Sequence, residues 1–132
     1  MFAIVASVFG ALAALLHVYI FVLESVQWRR PRVWRRFGVA SQEDADVTSP
    51  MAYNQGFYNL FLALGAGIGL VLFWLGGPDT VADVAGRTLA LFSLGSMVAA
   101  SLVLLTSGRK YLTPALTQGT LPLIGFVFFL LA

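Results

Sequence analysis

The sequence predicts an all-α polytopic membrane protein, an antiparallel bundle of four transmembrane helices forming a single domain over residues 1–132. Three observations predict it. The chain is 59% hydrophobic and 11% charged, with a mean hydropathy of +0.87, whereas globular domains carry about 45–50% apolar and about 25% charged residues. Most of its eight basic and six acidic side chains gather in two short segments, Arg29 to Asp46 and Arg109 with Lys110, which leaves long uncharged stretches between them. A bilayer core takes roughly 20 apolar residues per helix, so this length accommodates four spans and little extramembrane mass.

The spans follow in order. Span one is expected over residues 2–26 and is stopped by Gln27, Trp28 and an arginine run. It lacks a cationic n-region and runs too long before its first charge for a signal peptide, so it reads as a retained helix. The loop over 27–49 begins QWRRPRVWRRFGV, in which Trp28, Trp34 and Phe37 interleave with five arginines; that pattern suits a segment lying at the headgroups. Ser49-Pro50 pairs an N-cap residue with proline at the first helical position, which opens span two over 50–75. Gly76-Gly77-Pro78 ends it. A polar linker from Asp79 to Arg87 leads to span three over 88–106, closed by Ser107-Gly108-Arg109-Lys110, and Thr113-Pro114 opens span four over 113–132.

Orientation follows from the basic residues. Five arginines after span one and Arg109 with Lys110 after span three stand against Arg87 alone on the other side, seven to one. Cytoplasmic loops carry the excess of Lys and Arg, so both termini are expected outside the cytoplasm. Basic side chains beside apolar spans meet anionic lipid of the bilayer rather than nucleic acid, and no nucleic-acid partner is expected. The chain has no cysteine, which removes disulfides, thiolate nucleophiles and Cys-ligated metals. Small residues recur four apart at Ala6 and Gly10, Gly65 and Gly69, and Gly95 and Ala99. Such spacing lets helices approach closely in lipid, within one chain or in a homo-oligomer.

Polar side chains inside the spans carry the functional signal, because each costs a few kcal/mol in a bilayer unless paired or hydrated. His17 and Glu24 lie seven residues apart on one face of span one, about 10 Å along the axis. Span two opens with Tyr53, Asn54, Gln55, Tyr58 and Asn59, in which Asn54 with Tyr58 and Gln55 with Asn59 are i,i+4 pairs. Span four opens with Thr117, Gln118 and Thr120, and Ser101 of span three lies toward the same side. In the assigned topology these groups share the cytoplasmic half of the membrane, which implies a polar cavity or a tight hydrogen-bonded plug there. The plainer readings are an ion pair of Glu24 with a loop arginine, a packing role for His17, and interhelical hydrogen bonds for Asn54, Gln55, Asn59 and Gln118. One His and one Glu a heptad apart are too few ligands for zinc; no metal and no cofactor is expected, and no GxSxG, P-loop or dinucleotide fingerprint occurs.

These residues resemble a family. HVYIFVLESVQW (His17 to Trp28), NQGFYNLFLALG (Asn54 to Gly65) and TQGTLPLIGF (Thr117 to Phe126) are similar to the signature blocks of the small bacterial integral membrane family catalogued as domain of unknown function thirteen-oh-four. The resemblance covers nearly the whole chain, and Asn-Gln-Gly-x-Tyr-Asn is its most specific element. The Pro-Ala expected after Gln-Gly is here Thr120-Leu121-Pro122-Leu123. The resemblance implies a fold and no established activity. A weaker similarity links the span order and basic first loop to the four-helix membrane enzymes of eicosanoid and glutathione metabolism. Their Glu-Arg-x-x-x-Asn-x-x-Glu pattern is absent, which leaves glutathione chemistry without support.

Three functions compete. In the first, the protein binds or transforms a small lipophilic molecule, with Glu24 or His17 transferring a proton and Asn54, Gln55, Tyr58, Asn59 and Gln118 holding the polar end of the ligand. Isomerisation, epoxide opening and cyclisation are the reaction types considered for it. The second is a proton-coupled small-molecule carrier; the seven-to-one charge bias and the one-sided polar cluster speak against it. The third is a structural or accessory membrane protein whose polar cluster only fixes helix contacts.

Overall fold

The computed structural model describes residues 1–132. Helix α1 covers Phe2–Phe21 and runs on through a π-helical turn at Val22–Val26. The short α2, Pro31–Trp34, passes into a 3-10 turn at Arg35–Phe37. Three long helices follow: α3 at Gln42–Leu75, α4 at Val81–Thr106, and α5 at Leu112–Leu130 after a 3-10 turn at Arg109–Tyr111. There is no strand. Four segments, Phe2–Val26, Gln42–Leu75, Val81–Thr106 and Arg109–Leu130, are long and apolar enough to cross a membrane. Each turns large apolar side chains outward, among them Leu15, Phe61, Phe92 and Leu116. Water penalises such a surface and hydrocarbon does not. The chain is an all-α membrane protein of the four-span helical-bundle class predicted from its sequence.

Two helices start earlier than expected. The Ser41 Oγ accepts a hydrogen bond from the Asp44 N–H at 3.0 Å and donates to Asp44 Oδ2 at 2.7 Å, so Ser41 serves as the N-cap of α3. Glu43 and Asp44 then occupy the first turn of α3, where acidic groups complement the helix dipole. Pro50, read from sequence as the first helical residue, is therefore an internal proline, and the expected loop over 27–49 is largely helical. In the same way α4 begins at Val81 rather than at residue 88. Thr80 Oγ1 accepts from the Asp83 N–H at 3.2 Å, and Asp83 pairs with Arg87 at 3.0 Å. Charges that read as a linker are an i,i+4 pair on one helix face.

The chain divides into two compact units, Met1–Leu16 with Leu62–Ala132, and His17–Phe61. In the larger, Ala6, Ala13, Ala66, Phe73, Ala90, Leu94, Met97 and Phe129 form the core. A Cβ at Gly69 would lie 2.6 Å from Ala90 N, and one at Gly86 would lie 2.8 Å from Gly69 O, so α3 and α4 cross backbone on backbone. A Cβ at Gly125 would come within 3.1 Å of Gly10 N. Gly10, Gly65 and Gly69 of the small-residue pairs thus meet neighbours in their own chain, while Ala99 is exposed.

The smaller unit has its own core of Leu23, Trp28, Val33, Trp34, Ala45 and Ala52. Trp28 and Trp34, expected among the headgroups, turn inward instead and are 7% and 3% exposed. Trp28 Nε1 donates to the Ala45 carbonyl at 2.9 Å and Trp34 Nε1 to Gln42 Oε1 at 3.3 Å. An indole can be buried without leaving its N–H unsatisfied when an acceptor lies within reach. The five arginines between and around these rings remain exposed.

Candidate functional site

Glu24 is the middle residue of the π-helical turn. The bond that defines the turn runs from the Gln27 N–H to the Val22 carbonyl at 2.9 Å, five residues back instead of four. The turn is the last of the first helix, with Gln27 as its C-cap. Here the widened turn carries an acid that is 8% exposed.

Helix α3 lies against this turn at Gly56. A Cβ at Gly56 would collide with Ser25 Oγ and would sit 3.0 Å from Ser25 N and 3.1 Å from Glu24 Cβ. Only a residue without a side chain fits. On one side of that contact Ser25 Oγ donates to the Tyr53 carbonyl at 2.8 Å. On the other, Asn59 Nδ2 donates to Glu24 Oε2 at 3.0 Å and to the Gln55 carbonyl at 3.1 Å. Both amide hydrogens of Asn59 are thereby engaged, which holds the carboxamide in one orientation. A carboxylate has about four lone-pair sites, and Asn59 occupies one. A carboxyl group fixed through one oxygen is a geometry suited to general acid or base work. The expected alternative partner for Glu24, an arginine of the following segment, is not taken; the chain's ion pair is Arg87 with Asp83.

The model of the family described as "Protein of unknown function (DUF1304)" matches residues 11–130. The chain belongs to the DUF1304 family. No curated protein and no solved structure matches it. The matched residues include every member of the Glu24 site in this DUF1304 protein.

Of the candidates read from sequence, the structure brings Glu24 and Asn59 into contact. His17 is buried, 1% exposed, on the preceding turns of the same helix. Asn54, Gln55 and Tyr58 are exposed on α3, and only the backbone carbonyl of Gln55 enters the hydrogen bonding. Gln118 is half-buried on α5 in the other unit of this DUF1304 chain. The division along α3 follows helix geometry: Ala52, Gly56, Asn59 and Ala63 are all buried, at spacings of four, three and four that define one helix face. Asn54, Gln55 and Tyr58 lie off that stripe. Sequence reasoning missed Ser25 and Gly56; the small residues Ala52, Gly56 and Ala63 on the Asn59 face were the signal for Gly56, and Ser25 had none.

Proposed function

We propose that this membrane protein binds a small lipophilic molecule at Glu24 and transforms it by proton transfer, with Asn59 orienting the carboxyl group. The observation that carries the reading is the Asn59 to Glu24 hydrogen bond on a π-helical turn, at 3.0 Å and away from solvent. A bilayer protein retains an ionisable side chain in a span at a cost, and that cost marks the group as functional by default. His17 is the second candidate for proton transfer, and Asn54, Gln55, Tyr58 and Gln118 are candidates for holding the ligand's polar end. The seven-to-one basic bias supports an orientation with both termini outside a bacterial cytoplasmic membrane and α2 on the cytoplasmic side.

A density map of the protein purified with native lipid tests the reading. Non-protein density against the Glu24 carboxyl supports it. A closed, dry contact with continuous protein around the carboxyl sinks it in favour of the accessory-protein reading, to which the full engagement of both Asn59 amide hydrogens lends support.

A further inference from the structure

The smaller unit holds a second polar feature that the Glu24 site does not use. Tyr19, Leu23 and Gln27 recur four apart, so they form one face of the final turns of the first span. Arg32, Val33 and Arg36, from α2 and its 3-10 extension, line the same cleft of about 360 Å³. Leu23 and Val33 give it apolar walls, 9% and 2% exposed. Its polar side is built by the two guanidinium groups, the Gln27 amide and the Tyr19 hydroxyl, which accepts from Arg36 Nη1 at 2.8 Å. Neither Arg32 nor Arg36 is in an ion pair. Arg35 is occupied elsewhere, over the Trp34 ring at 5.1 Å, and Arg29 and Arg30 lie outside the cleft. The apolar span ends at Val26, and the cleft crosses that end, from Tyr19 and Leu23 within the span to Gln27, Arg32 and Arg36 beyond it.

We propose that this cleft binds the headgroup of an anionic phospholipid, its phosphodiester held between Arg32 and Arg36 and its acyl chains lying along the first span. Two unpaired guanidinium groups present the forked donors that match phosphate oxygens. The apolar walls select a phosphate attached to a lipid over a free one, and basic pockets beside spans are established headgroup sites in membrane proteins. The Tyr19 hydroxyl holds Arg36 in place before the ligand arrives, which lowers the ordering cost of binding.

The test is native mass spectrometry of the protein in neutral detergent with added phosphatidylglycerol or phosphatidylcholine. The wild-type chain should retain phosphatidylglycerol in preference to phosphatidylcholine. Arg32→Gln/Arg36→Gln should lower that retention by about tenfold or more, the loss expected for two charge-assisted contacts. The charge-matched Arg29→Gln/Arg30→Gln should change it by less than about twofold, because exposed charges outside the cleft contribute only a screened, diffuse attraction. Should the first pair fail to fold, Tyr19→Phe, which frees Arg36 without removing its charge, should still lower retention measurably. Equal losses for the two arginine pairs would reduce the effect to general electrostatics and overturn the site. So would equal retention of the two lipids, or unchanged retention in Tyr19→Phe. If glycerol phosphate displaces phosphatidylglycerol at equal concentration, the ligand is free phosphate and the lipid assignment is wrong. Glu24→Gln should leave phosphatidylglycerol retention unchanged, so this inference and the proposed function fail separately.

Discussion

Asn59 Nδ2 stands 3.0 Å from Glu24 Oε2 and joins two residues 35 apart in the chain. Interhelical hydrogen bonds in membranes are worth about 0.6 to 2 kcal/mol. Asn59→Ala should therefore destabilise the protein by about that amount in a detergent unfolding titration. In a double-mutant cycle with Glu24→Ala, which removes the acceptor, the two effects should couple by about 0.5 kcal/mol or more. Strict additivity would mean that the bond is not made in the folded protein.

Gly56 and Gly67 offer a matched pair on one helix. A Cβ at Gly56 meets Ser25 Oγ and backbone, whereas one at Gly67 meets nothing within 4 Å. Gly56→Ala should cost about 1–3 kcal/mol, in the range of an overpacked contact. Gly67→Ala should be neutral or stabilising by up to about 1 kcal/mol, since alanine is the better helix former. Thermal melts of the two variants in one detergent decide it, and equal Tm values would remove Gly56 as the contact point.

Pro50 sits inside α3 and cannot donate a backbone hydrogen bond, a defect worth about 3 kcal/mol in a helix interior when nothing compensates. Pro50→Ala should raise stability in the same titration, by about 1 kcal/mol or more. A loss of stability would show that Pro50 makes a contact or a bend that the fold requires.

Orientation is open to direct labelling, because the chain has no native cysteine. Single cysteines at Ser41 and Asp79 should react with a membrane-impermeant thiol reagent from opposite sides of the membrane, Ser41 from the cytoplasm. Reaction from the same side would end the four-span topology.

Much of this was legible before the structure. The apolar runs announced four membrane-crossing helices, and Glu24 and Asn59 were both candidates, because polar identity in an apolar run is visible in a single sequence. The helix starts were not. Ser49-Pro50 carries a strong local start signal, yet Ser41 caps the Asp44 N–H eight residues earlier, and α3 runs on through its proline. The π-helical turn, which lies against α3 at Gly56, was not read from the sequence. Asn54, Gln55 and Tyr58 are exposed on a different face of α3. The buried stripe of Ala52, Gly56, Asn59 and Ala63 separates them from Asn59. Trp28 and Trp34 misled for a related reason: aromatic rings beside arginines resemble a headgroup belt, but acceptors at Ala45 and Gln42 draw both indoles inward.

The central claim is that Glu24 works on a ligand rather than only bracing helices, and Glu24→Gln tests it most directly. The amide fills the same volume and can still accept from Asn59, but it has no titratable proton. The measurement is paired: the small lipophilic molecules that co-purify, by mass spectrometry of the extracted protein, and the Tm of the same sample. The account predicts that a species bound to the wild-type protein is depleted or left chemically different in Glu24→Gln while Tm moves by less than about 4 °C, the shift of roughly 1 kcal/mol. A sharp fall in Tm with an unchanged set of bound molecules would contradict it and make Glu24 a structural anchor.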